Sequence, residues 1–243
     1  LFNFSIFRNL HKPLQKFVNL VTLLVAPLLM GCGGFSTPLT QTVQVALFGH
    51  NQTVDTINLN TKLRYLRVTV RDQALLMVLG YVEPQSGGDI ESWYSSDGKV
   101  LKLQNGRLYA SFGLETDWRS VRNVALLSWA DAVSSSMATY QRERDEMPGY
   151  RFSIPESLTL YAIPPPNVSK LVVMSASSLT WMEETVNSTI TTKTTIKALG
   201  KSPNLASGRF GLQLGGTEPQ VVYGEQCLAP SYCIAWQVWP AKK

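Results

Sequence analysis

Three thiols are the most reactive side chains in the 243 residues, and their surroundings assign them different chemistry. Cys32 follows Gly31 at the point where an apolar run stops, the place for a thiol that accepts a lipid once a small preceding residue has let a peptidase in. Cys227 and Cys233 flank Leu-Ala-Pro-Ser-Tyr, a turn-like segment between stretches rich in β formers. In an exported chain such a pair is expected to form a disulfide. Closing so short a loop is worth about 2 kcal/mol in the chain-entropy picture. No histidine lies near either cysteine to make it a nucleophile.

Other reactive groups are sparse. Beyond Cys32 there is one histidine, His50, beside Gly49 in a turn-like stretch. No glycine-rich loop has phosphate-binding spacing, and no group of Cys or His residues suits a zinc site, so neither cofactor nor metal is expected. A polysaccharide hydrolase or lyase would need two converging carboxylates. Glu83, Glu91 and Asp97 are near one another in sequence, and Glu183 and Glu184 are adjacent. Neighbours on a strand point to opposite faces, so the last two cannot converge. Asp97-Gly98-Lys99 is explained by a turn. The sequence therefore yields no catalytic residue. Trp93 and Trp181 are the candidates for stacking on sugar rings, against the commoner use of tryptophan as core packing.

The elements that carry these groups begin with an export signal. Arg8, Lys12 and Lys16 precede an apolar run over 17–30 that Pro27 interrupts. A membrane span needs about 20 apolar residues, and this run is shorter, the shape of a secretory signal. Leu29-Met-Gly-Cys32 resembles the bacterial lipobox. The expected organisation is a lipoprotein signal peptide over 1–31, a tether over 32–40 after a lipidated Cys32, and a single β-rich periplasmic domain over 41–243. Several acyl chains anchor stably where one is marginal. Gly33 and Gly34 follow the cysteine with no aspartate, which points to the outer membrane. Of the formal net charge of +5, three charges precede Cys32, leaving +2. That near-neutral remainder, with no basic stripe, excludes a nucleic-acid partner.

Past the tether, Leu39–Phe48 has helical apolar spacing. Strands are expected at 63–70, 75–82, 90–95, 99–103 and 107–112. The run Leu75–Val82 is apolar enough for a central strand buried on both faces. Asp97-Gly98 and Asn105-Gly106 suit type I′ turns and predict a three-stranded meander. Leu101 and Leu103 would share one face, as would Leu108, Ala110 and Phe112. Residues 123–147 place Leu126, Trp129, Val133, Met137 and Tyr140 three or four apart, predicting one long helix ended by Pro148-Gly149. Further strands are expected at 157–163, 170–175, 179–185, 186–197, 210–214, 220–224 and 233–239. The fold class is mainly β, an antiparallel β-sandwich or partly closed barrel with one or two helices.

On these residues the chain resembles the YjbF/GfcB (YmcC) family of capsule-operon lipoproteins. The resemblance is carried by Met77-Val-Leu-Gly-Tyr-Val-Glu83, Trp93-Tyr-Ser-Ser-Asp-Gly98, Asn105-Gly-Arg-Leu108, Gly113-Leu114 and Pro148-Gly-Tyr-Arg151, with Trp181-Met-Glu-Glu184, Trp236-Gln-Val-Trp-Pro-Ala241 and the lipobox behind them. The chain departs from the family in having Asn60–Tyr65 where a Leu-Pro-Tyr segment is usual, and Phe210-Gly-Leu-Gln213 in place of an aromatic-rich stretch. The resemblance implies a lipid-anchored, periplasm-facing outer-membrane factor for capsule or exopolysaccharide assembly or export. Its partners would be the membrane, the exopolysaccharide or export-machinery proteins. It brings no catalytic residue with it. Two alternatives stand beside it: a polysaccharide-modifying enzyme using carboxylates, and a structural module that binds sister proteins of an export machine.

Overall fold

The computed structural model describes residues 54–135, 137–189 and 205–240. Cys32, His50 and the expected helix over 39–48 lie outside the described residues. Among the described residues, twelve antiparallel strands form one sheet. They are β1 (Tyr65–Val70), β2 (Gln73–Glu83), β3 (Ile90–Ser95), β4 (Val100–Gln104), β5 (Arg107–Phe112) and β6 (Asp117–Val124). Then come β7 (Met137–Met147), β8 (Arg151–Ile163), β9 (Thr180–Thr189), β10 (Gly208–Gln213), β11 (Gln220–Ala229) and β12 (Tyr232–Trp239). A short helix α1 (Trp129–Ser134) joins β6 to β7, its first turn capped by the Ser128 hydroxyl accepting from the Asp131 N–H. Among the described residues no helix is long and apolar enough to cross a membrane.

The strand order is β5-β4-β3-β2-β1-β12-β11-β10-β9-β8-β7-β6. Every strand pairs with its sequence neighbour except β5 with β6, and β1 pairs with β12. The sheet thus curls into a nearly closed barrel whose two free edges are consecutive in the chain. Across that seam Asp117 stands in for a ladder. Its carboxylate accepts from the Ser111 hydroxyl at 3.0 Å, the Gly113 N–H at 3.0 Å and the Leu114 N–H at 3.2 Å. The Ser111 hydroxyl in turn accepts from the Trp118 N–H at 3.0 Å.

The inner face holds Leu66, Val68, Met77, Trp93, Leu101, Leu103, Leu108, Phe210, Leu212, Ile234 and Trp236 as one packed cluster. A second, smaller cluster lies outside the sheet. There Leu171, Met174 and Ala176, from the segment between β8 and β9, cover Trp181, Tyr223 and Ala235. The Gln237 side chain pins that segment by a pair of bonds to the Val172 backbone, accepting at 3.1 Å and donating at 2.9 Å. Cys227 and Cys233 face each other in the β11–β12 register and are bridged.

Several sequence expectations are corrected. The long helix over 123–147 is instead the end of β6, α1 and β7. Its alternating polar residues satisfy a strand with charge on both faces, a pattern that carries no apolar period of two. Residues 170–175 are not a strand but the covering segment. β2 is not buried on both faces, since Tyr81 and Val82 are exposed at 46% and 38%. The Asn105-Gly106 turn has positive φ at both residues, as type I′ requires, whereas at Asp97-Gly98 only Gly98 does. A register shift between Lys102 and Leu103 sets Ser111 opposite Leu101 and Leu108 opposite Leu103. Leu108 therefore faces inward with Leu103, while Ala110 and Phe112 face outward.

Gly106 closes one end of the barrel. Its φ is +75°, and a Cβ built there would run into the Val221 side chain of β11. Left-handed backbone costs a residue with a Cβ about 1–2 kcal/mol before any clash. Gly106→Ala is expected to lower unfolding stability by at least that much in a denaturant titration followed by tryptophan fluorescence.

Candidate functional site

Part of the inner face is polar. Strand alternation sends Tyr140, Arg142, Arg144 and Glu146 of β7 inward, with Glu156 of β8 and Glu184 of β9 beside them, all nearly excluded from solvent. They form a continuous chain of charge-assisted bonds. The Tyr140 hydroxyl donates to Glu184 Oε2. Arg142 Nη1 donates to Glu184 Oε1 at 2.7 Å, and its Nε to Glu156 Oε2 at 2.8 Å. Arg144 Nε donates to Glu156 Oε1 at 3.0 Å, and its Nη1 to Glu146, which also accepts from Arg151. Both Arg142 and Arg144 lie 4.7 Å from the Trp118 ring, whose Nε1 donates to the Leu228 carbonyl at 3.1 Å.

Arg107 extends the chain at its Tyr140 end. It is buried, packs 3.4 Å from the centroid of the Trp129 ring, and has no hydrogen-bond partner for Nε or Nη2 among the described residues. Burial pulls its pKa down, against the raising effect of Tyr140 and Glu184. Burial, with Glu184 alongside, pushes the Tyr140 phenol well above its usual range, so it remains a neutral donor. Such a network orients and neutralises. It holds no nucleophile, and each of its three carboxylates accepts from a guanidinium. Among the described residues no group of three His, Cys, Asp or Glu side chains is placed to hold a metal.

The residues expected from sequence to do chemistry are dispersed. Glu91 pairs opposite Val82, and Glu83 opposite Ile90, so the two glutamates leave opposite faces of the sheet. Asp97 sits in the turn at the far end of β3, bonded to Ser95 and paired with Lys99. Glu183 points outward to the Tyr161 hydroxyl at 2.5 Å while Glu184 points inward, as strand geometry requires. Trp93 and Trp181 are each only 1% exposed, which corrects their candidacy for stacking on sugars. Trp93 packs inside among Leu101 and Met77, and Trp181 lies under the covering segment, donating to the Ala176 carbonyl at 2.7 Å.

Sequence reasoning missed the buried charge chain. Its signal was Tyr140-x-Arg142-x-Arg144-x-Glu146, one polar residue at every second position, which becomes visible only once 137–147 is read as a strand. Sequence reasoning also missed the exposed Tyr81 on the outer face of β2, and it passed over Tyr94 on β3, an aromatic of the predicted meander, in favour of the tryptophan beside it.

The comparisons agree on the kind of protein that this chain is similar to. The model of the YjbF family, described as group 4 capsule polysaccharide lipoprotein gfcB, YjbF, matches residues 40–193. The crystal structure of the hypothetical lipoprotein YmcC from Escherichia coli (K12) superposes with a TM-score of 0.56 at 18% identity, covering 86% of this chain and 100% of that one. At that identity the likeness is one of fold. No curated protein sequence matches.

Glu156 holds two guanidiniums at once, so removing its charge strands both. Breaking a buried ion pair from one side costs about 3–5 kcal/mol. Glu156→Gln is expected to destabilise the protein by that order in urea unfolding, far more than Glu143→Gln at the exposed Arg122 pair; equal losses would mean that the chain is not the structural element described. Alkaline pH offers a second check. A phenol whose folded pKa is raised contributes stability that is whole below the unfolded value, about 10, and is lost as pH rises beyond it. The melting temperature is expected to fall above pH 10, and to fall less steeply in Tyr140→Phe.

Proposed function

Since this chain belongs to the YjbF family of group 4 capsule polysaccharide lipoproteins, we propose that it is a lipid-anchored factor that assists capsule or exopolysaccharide assembly or export at the outer membrane, facing the periplasm, without catalysing a reaction itself. The observation that carries the reading is the family match across 40–193 combined with Leu29-Met-Gly-Cys32 upstream of it. Cys32 takes the lipid, and the barrel is the part presented to polymer or machinery. The role without catalysis is supported by the divergence of Glu83, Glu91 and Asp97, which leaves a two-carboxylate mechanism without a pair of the required spacing. It is supported too by a barrel interior filled with packed side chains and paired charges rather than an open channel.

Deleting the gene in its host and quantifying polymer on the cell surface tests the role. The expected result is loss of surface polysaccharide, restored by the intact gene. Unchanged surface polymer would overturn the proposal. Cys32→Ser is expected to abolish incorporation of labelled palmitate and to release the protein from the membrane fraction.

A further inference from the structure

The outer face of β1–β5 carries a single cross-strand row. Tyr65, Val78, Tyr94, Val100 and Phe112 stand opposite one another from strand to strand, and Trp239 of β12 continues the row beyond Tyr65. The next row on the same face is Tyr81, Ser92, Lys102 and Ala110. Tyr94 and Tyr81 are 41% and 46% exposed. Tyr94 lies down over Gly80. A Cβ there would come within 2.5 Å of its Cε2, so the missing side chain is what lets the ring rest on the sheet. The strand bulges at this point, between Leu79 and Tyr81.

Charge falls on the same face. Among the described lysines and arginines, only Lys62, Lys102, Arg107 and Arg119 have no carboxylate partner. Arg107 is buried. Of the other three, two lie against this strip: Lys102, 5.8 Å from the centroid of Tyr81 and 3.4 Å from its hydroxyl, and Arg119, 4.3 Å from the centroid of Phe112. Of the carboxylates around the strip, Asp97 is bonded to Ser95 and paired with Lys99, while Glu83 accepts from the neutral Gln85 amide at 2.9 Å. Rings that lie along a surface accept the apolar face of a sugar, and uncommitted cations beside them accept an anion. Strand spacing of about 4.8 Å puts Tyr94 on β3 and Phe112 on β5 roughly 10 Å apart, so rings on this face can meet more than one sugar of the same chain.

We propose that this outer strip, Tyr81, Tyr94, Lys102, Phe112 and Arg119, is a binding surface for an acidic polysaccharide, the rings stacking on sugar faces and the two cations meeting its carboxylate or phosphate groups. The proposal rests on the capsule reading above and names the chemistry of the polymer. Charge complementarity decides for this occupant over an apolar protein surface: an apolar partner buried here would strand Lys102 and Arg119, whereas a polyanion pairs both.

The test uses the full-length lipoprotein in detergent. Calorimetric titration with oligogalacturonate, with neutral dextran as control, and with the host's own surface polymer reads binding directly. Saturable binding of the acidic probes and not of dextran is expected, weakening as salt rises. Lys102→Gln with Arg119→Gln, and separately Tyr94→Ala, are each expected to weaken it at least tenfold with the melting temperature held. Failure to bind either acidic probe overturns the proposal, as does binding that these variants leave intact. So does a photo-crosslinker at position 94 that captures a sister protein in cells and no glycan. The variants, expressed in the deletion strain, separate this proposal from the capsule role. If the intact gene restores surface polymer and the variants restore it equally, the strip is wrong and the role stands. If deletion leaves surface polymer unchanged, the role fails whatever the strip binds.

Discussion

Glu156, shared between Arg142 and Arg144 in the barrel interior, sets the terms on which the sheet can close. Charges taken out of water must find their counter-charges in the same dry space, and the desolvation they suffer is repaid only by good geometry and full pairing. The inward faces of β7, β8 and β9 supply that pairing among themselves, with Arg151 at one end of the chain and Tyr140 and Arg107 at the other. The facing wall, from β10 around to β5, is apolar and tightly packed. Trp118 divides the two regimes. Its ring presents a face to two guanidiniums, and its Nε1 is satisfied by a backbone carbonyl. Side-chain pairing therefore fixes the register of three strands that hydrophobic alternation alone would leave loosely specified.

How much of this was legible in the sequence depended on which force ordered each element. Wherever one face is apolar, the period of two showed, and β1, β3, β4, β5 and β12 stand close to where the sequence put them. Where both faces of a strand are polar, as in Met137–Met147, the period carried no signal. The spacing of a few apolar residues around Trp129 then read as a helix, although only Trp129–Ser134 is helical. Bulges were the other blind spot. A single extra residue near Tyr109 reverses which side chains face inward, and nothing in the local sequence marks it.

The candidate site was read less well, for a related reason. Tryptophans are the obvious residues for sugar contact, yet burial rewards their size and takes them out of reach. The smaller Tyr81 and Tyr94 are left outside, beside a glycine that the sequence shows only as part of Val-Leu-Gly-Tyr-Val. Disulfide pairing was more legible, because six residues of separation around a turn leave Cys227 and Cys233 facing each other on adjacent strands.

The pairing of β1 with β12 has a consequence for the order in which the molecule can come into being. Tyr65 meets Trp239, and Val70 meets Ile234, so β1 is completed by β12, the first of the described strands by the last. A chain that emerges from its N-terminal end makes each hairpin as it arrives but holds one side of β1 open throughout. Contacts of such separation in sequence are slow to form, because nearly the whole loop must be ordered before they close. The growing barrel is thus an unzipped ribbon with a sticky margin until the final eight-residue strand docks. Quality control follows from topology alone: a product cut short before β12 has no way to hide that margin, and is distinguishable from a finished molecule by any factor that recognises an unpaired strand.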